Sequence, residues 1–323
     1  MNGGVGDDTL EGGDGNDIVP GGSHVSGDTL RLDRSSNSDV DLRARYSKQA
    51  GFTDELLGIE HVLGSRYDDH IAGNGGNDTL IGRNGDDRLR LYDGTGDLDG
   101  GAGSDMVDLS GPGEKYGNDG AAVTIDLGAG VATGAAVDVV MRKVEGAVGS
   151  IFDDLIIGDA ADNFLDGSRG DDVIFGGGGD DIIDGGDGID ELHGGDGNDT
   201  VGTRYGGEEG DVAFGDAGDD VIEMCEAHGG PGNDLIKTHI GTGGPGDDQL
   251  EGGPGADQVR GHLGNDVLSG GSGPDILWGH EGDDQIAGGD GDDELRGSVG
   301  YDSLDGGNGI DFCIGEEKVA CEL

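Results

Sequence analysis

Between Gly243 and Ile314 the chain reads GGPGDDQLE, GGPGADQVR, GHLGNDVLS, GGSGPDILW, GHEGDDQIA, GGDGDDELR, GSVGYDSLD and GGNGIDFCI, eight nine-residue units with nothing between them. Self-similarity at a fixed short period decides a fold more firmly than local propensity does. The consensus is G-G-x-G-x-D-x-U-x, where U is aliphatic. Six further units run from Gly149 to Gly202, three fill 64–90 and two fill 3–20, with single copies at 100–108, 215–223 and 229–237.

The first six residues of a unit read as a turn. Glycines at positions 1, 2 and 4 permit positive φ and leave backbone carbonyls uncovered. The remaining x-U-x reads as a short strand whose alternation sends U inward. The inward set is Leu10, Val19, Ile71, Leu80, Ile156, Leu165, Ile174, Ile183, Leu250, Val259, Leu268, Leu277, Ile286, Leu295 and Leu304, while position 7 varies freely and faces out. Two units make one coil, so unit i stacks on unit i+2 at about 4.7–4.9 Å, the strand spacing. The expected fold is all-β: a parallel β-roll, a β-helix-like solenoid with two nonapeptides per coil. It is read as one elongated solenoid over 1–323, with repeat blocks 3–20, 64–108, 149–237 and 243–314.

Stacking sets the position-6 Asp of unit i against that of unit i+2. This predicts the pairs Asp248 with Asp266, Asp257 with Asp275, Asp266 with Asp284, Asp275 with Asp293, Asp284 with Asp302 and Asp293 with Asp311. The middle block adds Asp154 with Asp172, Asp172 with Asp190 and Asp181 with Asp199, together with a weaker pairing of Asn163 and Asp181. Asp69 pairs with Asp87. Asp8, Asp17, Asp78, Asp105, Asp220 and Asp234 occupy the same position in the remaining units. Carboxylates stacked this way repel one another, and one inward aliphatic per unit is a small core. A hard divalent ion held by two carboxylates and the exposed glycine carbonyls reverses the balance, and its binding energy becomes folding energy. The position-5 acids Asp247, Asp283 and Asp292 are expected to face solvent.

The consensus resembles the RTX (repeats-in-toxin), or hemolysin-type, nonapeptide, over roughly two-thirds of the chain. The resemblance implies that the ion is Ca²⁺, for which the pairs above give about 11 sites or more, that the coil is right-handed, and that the protein is secreted and extracellular, of the bacterial kind. Cys313 takes the U place of the last unit and Cys321 follows in GIDFCIGEEKVACEL. A Cys313–Cys321 disulfide is expected in a C-terminal cap over 312–323, similar to the tails of many secreted calcium-binding repeat proteins. The alternative is two small unpaired apolar residues. Cys225 is left over.

Two stretches break the register, 31–63 and 109–148, and they look alike. Each carries an Asp-Leu strand, then a -G-I/V-E-type strand (GIE at 58–60, KVE at 143–145), then GSxxDD on re-entering the repeat. They read as an internal duplication that continues the coil without calcium turns, or else as linkers between separate rolls. Shorter slips at 203–210, 224–228 and 238–242 read as bulging loops.

The rest of the composition narrows function by exclusion. Lys+Arg number 18 against 70 Asp+Glu, a formal charge of −52, and Gly is 76 of 323 residues. Phosphate backbones and anionic membranes are repelled by such a chain, so nucleic acid is not an expected partner. No apolar run approaches the roughly 18 residues of a membrane span. Met1 runs at once into Asn2-Gly3-Gly4-Val5-Gly6-Asp7-Asp8 rather than a secretory leader, which fits a fragment, a misplaced start or another export route.

HExxH, GxSxG, Walker A and EF-hand patterns are absent. The GxGxxG match at 241–246 lies between repeat units with no helix after it. The eight histidines (24, 61, 70, 193, 228, 239, 262 and 280) show no zinc spacing. Trp278, at position 9, is expected to be exposed. The reading is a non-enzymatic, calcium-dependent extracellular module, monomeric, with calcium as its partner. The alternatives are the repeat or secretion module of a larger exported hydrolase or adhesin, and an ice- or glycan-binding sheet, which the mixed position 7 disfavours.

Overall fold

The computed structural model describes all residues except 1–3, 6, 12–17, 24–26, 33–36, 50–51, 93, 111–121, 136, 204–209, 316, 320 and 322–323. The described residues are all-β, with no helix and hence none long and apolar enough to cross a membrane. They group into two compact units, Met1–Gly158 with Asp166–Arg169, and Asp159–Leu165 with Gly170–Leu323.

The long repeat block shows how the second unit is built. Its strands are Gln249–Pro254, Gln258–Leu263, Val267–Ser272, Ile276–Glu281, Gln285–Asp290, Glu294–Val299 and Ser303–Asn308. Each covers positions 7–9 of one nonapeptide and 1–3 of the next. The strand is therefore twice the expected length, and the turn shrinks to G-x-D. Alternation explains the extension: position 8 points inward, and so does the glycine at position 1, which has no side chain to crowd the core. Each strand pairs in parallel with the strand two units on, aligning Leu250 with Leu268 and Ile286, and Val259 with Leu277 and Leu295. Every aliphatic residue predicted to face inward is buried. Each contributes about 1.5–3 kcal/mol by leaving water.

Glycines at positions 2 and 4 adopt the left-handed region, as in Gly253 (φ 99°) and Gly255 (φ 139°). Position-1 glycines do not, so their recurrence within the repeat has another cause, given below. The slips at 224–228 and 238–242 are not bulging loops. Their strands, Glu226–His228 and Ile240–Pro245, stay in the sheet with Ala227 opposite Gly241. Five residues take the place of nine, so Ile222, Ile236 and Leu250 align at intervals of 14 rather than 18. Of the slip at 203–210, residues 204–209 lie outside the described residues.

In the first unit, Ile71, Leu89, Val107 and Ala147 stack in one parallel sheet, and Val62, Leu80, Leu98 and Met141 in the other. The register breaks correct the expectation of purely parallel sheets. In the first, Ser38–Asp41, Tyr46–Gln49 and Phe52–Leu57 form an antiparallel meander. Its last strand lies parallel to Ile18–Pro20 and its first lies parallel to His70–Ala72. The second break repeats the arrangement with Val123–Asp126, Val131–Gly134 and Val137–Arg142, bounded by Gly94–Ala102 and Leu155–Ile157. The shared topology matches the shared sequence.

Candidate metal centre

The position-6 aspartates form ladders along the turns. The backbone N–H of each donates to the Oδ1 of the aspartate one coil on. In the second unit one ladder runs from Asn163 through Asp181, Asp199, Asp220, Asp234, Asp248, Asp266 and Asp284 to Asp302, with N···O distances of 2.7–3.2 Å. The other side carries Asp172, Asp190 and Asp211 at 2.9 Å, and then Asp257, Asp275, Asp293 and Asp311 at 2.8–3.1 Å. In the first unit Asp69 donates to Asp87 and Asp87 to Asp105, at 2.7 and 2.8 Å, and Asp8 donates to Asp28 at 2.7 Å.

These bonds occupy Oδ1 only. The Oδ2 atoms of Asp87, Asp105, Asp181, Asp190, Asp199, Asp220, Asp234, Asp248, Asp257, Asp266, Asp275, Asp284, Asp293, Asp302 and Asp311 are buried without a hydrogen-bond partner. An unsatisfied buried acceptor costs about 1–3 kcal/mol, and more when it is charged. Burial accordingly pushes Asp87, Asp181, Asp234 and Asp266 up to about 7, and Asp105, Asp190, Asp220, Asp248 and Asp275 up to about 6. Neighbouring carboxylates add to the rise in each case, and the amide bond to Oδ1 opposes it. A ladder of anions without counter-charge is thus a strained arrangement.

The position-1 glycines complete the geometry. A Cβ on Gly252 would lie 2.6 Å from Asp257 Oδ2 and 2.6 Å from the carbonyl oxygen of Gly270, one coil on. Gly270 and Gly288 face the carbonyls of Gly288 and Gly306 in the same way, each at 2.6 Å. Carboxylate and carbonyl oxygens therefore converge on a space that any side chain at position 1 would fill. An all-oxygen donor set of this kind suits a hard divalent cation. Among the described residues no three His, Cys, Asp or Glu side chains gather into a metal cluster. A cation held at these turns would therefore need the glycine carbonyls beside the carboxylates.

Several predicted residues sit differently. Asp69 is satisfied by protein donors: Oδ2 accepts from Ser65 N–H at 2.6 Å, and Oδ1 from the Ser65 hydroxyl and Ser38 N–H. Asp154 is held likewise by Ser150 and Val123 N–H. The serine of the GSxxDD re-entry thus saturates the carboxylate. Asp78 accepts from Asn74 N–H at 2.8 Å, and Gly96 stands opposite it in register, so no second carboxylate follows. Asp154 belongs to the first unit and Asp172 to the second. Asp17 lies outside the described residues.

Sequence reading missed Asp28, Glu60, Glu145 and Asp211 as rungs. Glu60 accepts from Asp28 N–H at 3.1 Å and Glu145 from Asp105 N–H at 2.9 Å, each reaching from the end of a register break into the ladder. The signal was present in the GIE and KVE triplets and in Asp211-Val-Ala-Phe, which has the D-x-U-x form. In the shortened coils Cys225 and His239 take the rung position. Their carbonyls accept from Ile240 and Gln258 as Asp248 accepts from Val267. His239 Nδ1 lies 2.7 Å from Asp257 Oδ1.

Asp247, Asp283 and Asp292 are exposed, and they form an outer ladder of their own to the amides of Asn265, Tyr301 and Ile310. Trp278 is half-buried rather than exposed, between the guanidiniums of Arg260 and Arg296 at 5.1 and 5.5 Å. Cys313 and Cys321 are joined, with Cα atoms 5.8 Å apart, and Cys225 is in no disulfide.

Stacked Gly–Asp turns with inward oxygen donors define a cation-binding β-roll. The family model for the RTX calcium-binding nonapeptide repeat matches residues 1–23, 57–89, 148–183, 175–202, 205–223, 242–277 and 278–313. The chain belongs to that family, and it is a calcium-binding repeat module.

Proposed function

We propose that the ladders hold Ca²⁺ between successive coils, at about 11 sites or more, and that the chain folds as they fill. The observation carrying this is the row of buried Oδ2 atoms with no protein donor. The aspartates with an orphaned Oδ2 would hold the ions together with the position-1 carbonyls. Bound Ca²⁺ supplies the positive charge that the ladder lacks. Asp69 and Asp154 close turns instead. The chain's own contribution is a preset oxygen spacing, one rung per coil, so filling one site orders the coil that builds the next.

We place this module outside the cell, where sub-millimolar to millimolar calcium suits weak, multiple sites, as a non-catalytic monomer. The alternative is the repeat module of a larger exported hydrolase or adhesin. Circular dichroism during calcium titration, with magnesium as control and an ion count after dialysis, tests the proposal. A β-spectrum that persists unchanged after exhaustive chelation rejects it.

A further inference from the structure

Position 7 of the repeat points outward on both sheets of the second unit, but the two sheets use it differently. On the sheet that follows the Asp181-to-Asp302 ladder, Ile182, Thr200, Val221, Leu235, Gln249 and Val267 stand opposite one another in parallel register. All six are exposed and none is charged, although 27% of the chain is Asp, Glu, Lys or Arg. Ile182, Val221, Leu235 and Val267 are each 43–52% exposed. On the other sheet the same row is interrupted by Glu191, Glu226 and Glu294. A lone exposed aliphatic residue is ordinary, whereas an aligned strip of them marks an interaction surface.

Acidic rows flank the strip on both sides. Toward the turn, position 5 carries Asp180, Asn198, Asp219, Asn233, Asp247 and Asn265, in strict alternation and all exposed. From Asn198 on, each backbone amide donates to the side-chain oxygen one coil back, at 2.7–2.9 Å, which fixes the row in place. Away from the turn, position 9 carries Asp184, Glu223 and Glu251. The base in that row, Lys237, is already engaged by Glu223 at 3.0 Å.

We propose that this strip docks a cationic amphipathic α-helix of a partner protein, laid along the stack. Five strand spacings from Ile182 to Val267 span about 24 Å, the length of roughly 16 helical residues. An apolar helix stripe recurs about every 5.3 Å, close to the strand spacing, so successive apolar side chains meet successive coils. Basic residues on either side of that stripe fall on the two acidic rows. A second copy of this chain would bring acidic rows against acidic rows and is repelled, as is an anionic membrane.

The probe is a synthetic Leu/Lys peptide of about 18 residues with its leucines at i, i+3, i+4 and i+7. Beside it stand a scrambled peptide of the same composition and a Leu/Glu peptide with the same stripe. Each is titrated by fluorescence anisotropy with the full, calcium-loaded chain at physiological salt. The striped Leu/Lys peptide should bind and gain helix by circular dichroism, the scrambled one should bind about tenfold more weakly or worse, and the Leu/Glu one should not bind. Val221→Gln with Leu235→Gln installs a side chain the row already carries at Gln249, and should weaken binding by about tenfold or more. Val212→Gln with Ile240→Gln makes the same change on the opposite sheet and should leave binding within about twofold. None of these variants alters net charge. Equal binding of striped and scrambled peptides, or equal losses from the two variant pairs, reduces the effect to the charge of the whole chain and overturns the proposal. So does absence of binding up to about 100 μM. The β-spectrum of each variant in calcium is recorded first, so loss of the fold is told apart from loss of docking. If Val221→Gln with Leu235→Gln disturbs it, Ile182→Gln with Val267→Gln decides instead, and full binding by that pair overturns the proposal.

Discussion

Gly252→Ala separates a glycine needed for space from one needed for backbone freedom. Gly252 has an ordinary φ, so alanine is conformationally allowed there, but its Cβ would sit 2.6 Å from both Asp257 Oδ2 and Gly270 O, the two oxygens proposed to hold the cation. A Cβ on its neighbour Gly253 would meet nothing within 4 Å, but the backbone there holds φ at 99°. Alanine at 253 should cost about 1–2 kcal/mol of backbone strain, the same at every calcium concentration. Alanine at 252 should cost about 1–3 kcal/mol through crowding and should also remove a site. At saturating calcium each bound ion adds about 1.4 kcal/mol of stability per tenfold rise in its concentration. Urea unfolding followed through a calcium series, read as stability against log concentration, distinguishes the two. Gly253→Ala should shift the line downward in parallel. Gly252→Ala should lower its slope by one ion's worth and the dialysis count by about one. If both variants give parallel shifts, the space beside Asp257 is not where the cation sits.

Titration should favour the metal-free coil in acid. Burial raises ladder carboxylates to about 6 or about 7, above their unfolded value, so stability from their protonated form is present at low pH and lost as pH rises through that window. In chelator the β-signal should therefore grow on acidification, and calcium affinity should fall over the same range; a metal-free chain that unfolds further in acid refutes this. Glu60→Gln and Glu145→Gln should weaken calcium binding in the first unit, whereas Asp69→Asn should leave the ion count unchanged, as counted after equilibrium dialysis. Cys321→Ser opens a link between residues eight apart and should cost roughly 2–3 kcal/mol by chain entropy, confined to the last coils and visible as faster amide exchange near 304–314. Trp278, the single tryptophan, lies between two guanidiniums, so its fluorescence should report calcium-driven ordering of the last block, and Arg260→Ala should change the folded signal without moving the calcium midpoint.

The coil was legible because the nonapeptide repeats two independent signals, an aliphatic at position 8 and an aspartate at position 6, and each fixes the other's register. The strand was read too short because a glycine carries no hydrophobic signal, although position 1 is as much an inward strand position as position 8. Saturation of Asp69 and Asp154 by serines was hidden for a different reason. Ser65 and Ser150 stand at turn positions where serine is unremarkable, and only the folded turn brings their donors onto the carboxylate. Glu60 and Glu145 were missed because they are one methylene longer than the consensus and lie outside any nine-residue unit.

The antiparallel meanders have a consequence for how such a chain can change. Each leaves the growing stack, turns twice and returns with its outer strands matched to the coils on either side, so Val19 meets Leu56 and Val40 meets Ile71 with no offset. Only those two boundary strands must obey the coil's geometry. Leu42 and Leu127 are still tied to it, buried and with their amides on the carbonyls of Ala72 and Ile157, and only the exposed tips at 43–45 and 128–129 are free of that constraint. New sequence can be spliced into these tips, or whole meanders gained and lost, without renumbering a single rung elsewhere, which makes them natural ports for acquiring surface specificity on a scaffold otherwise committed to one ion.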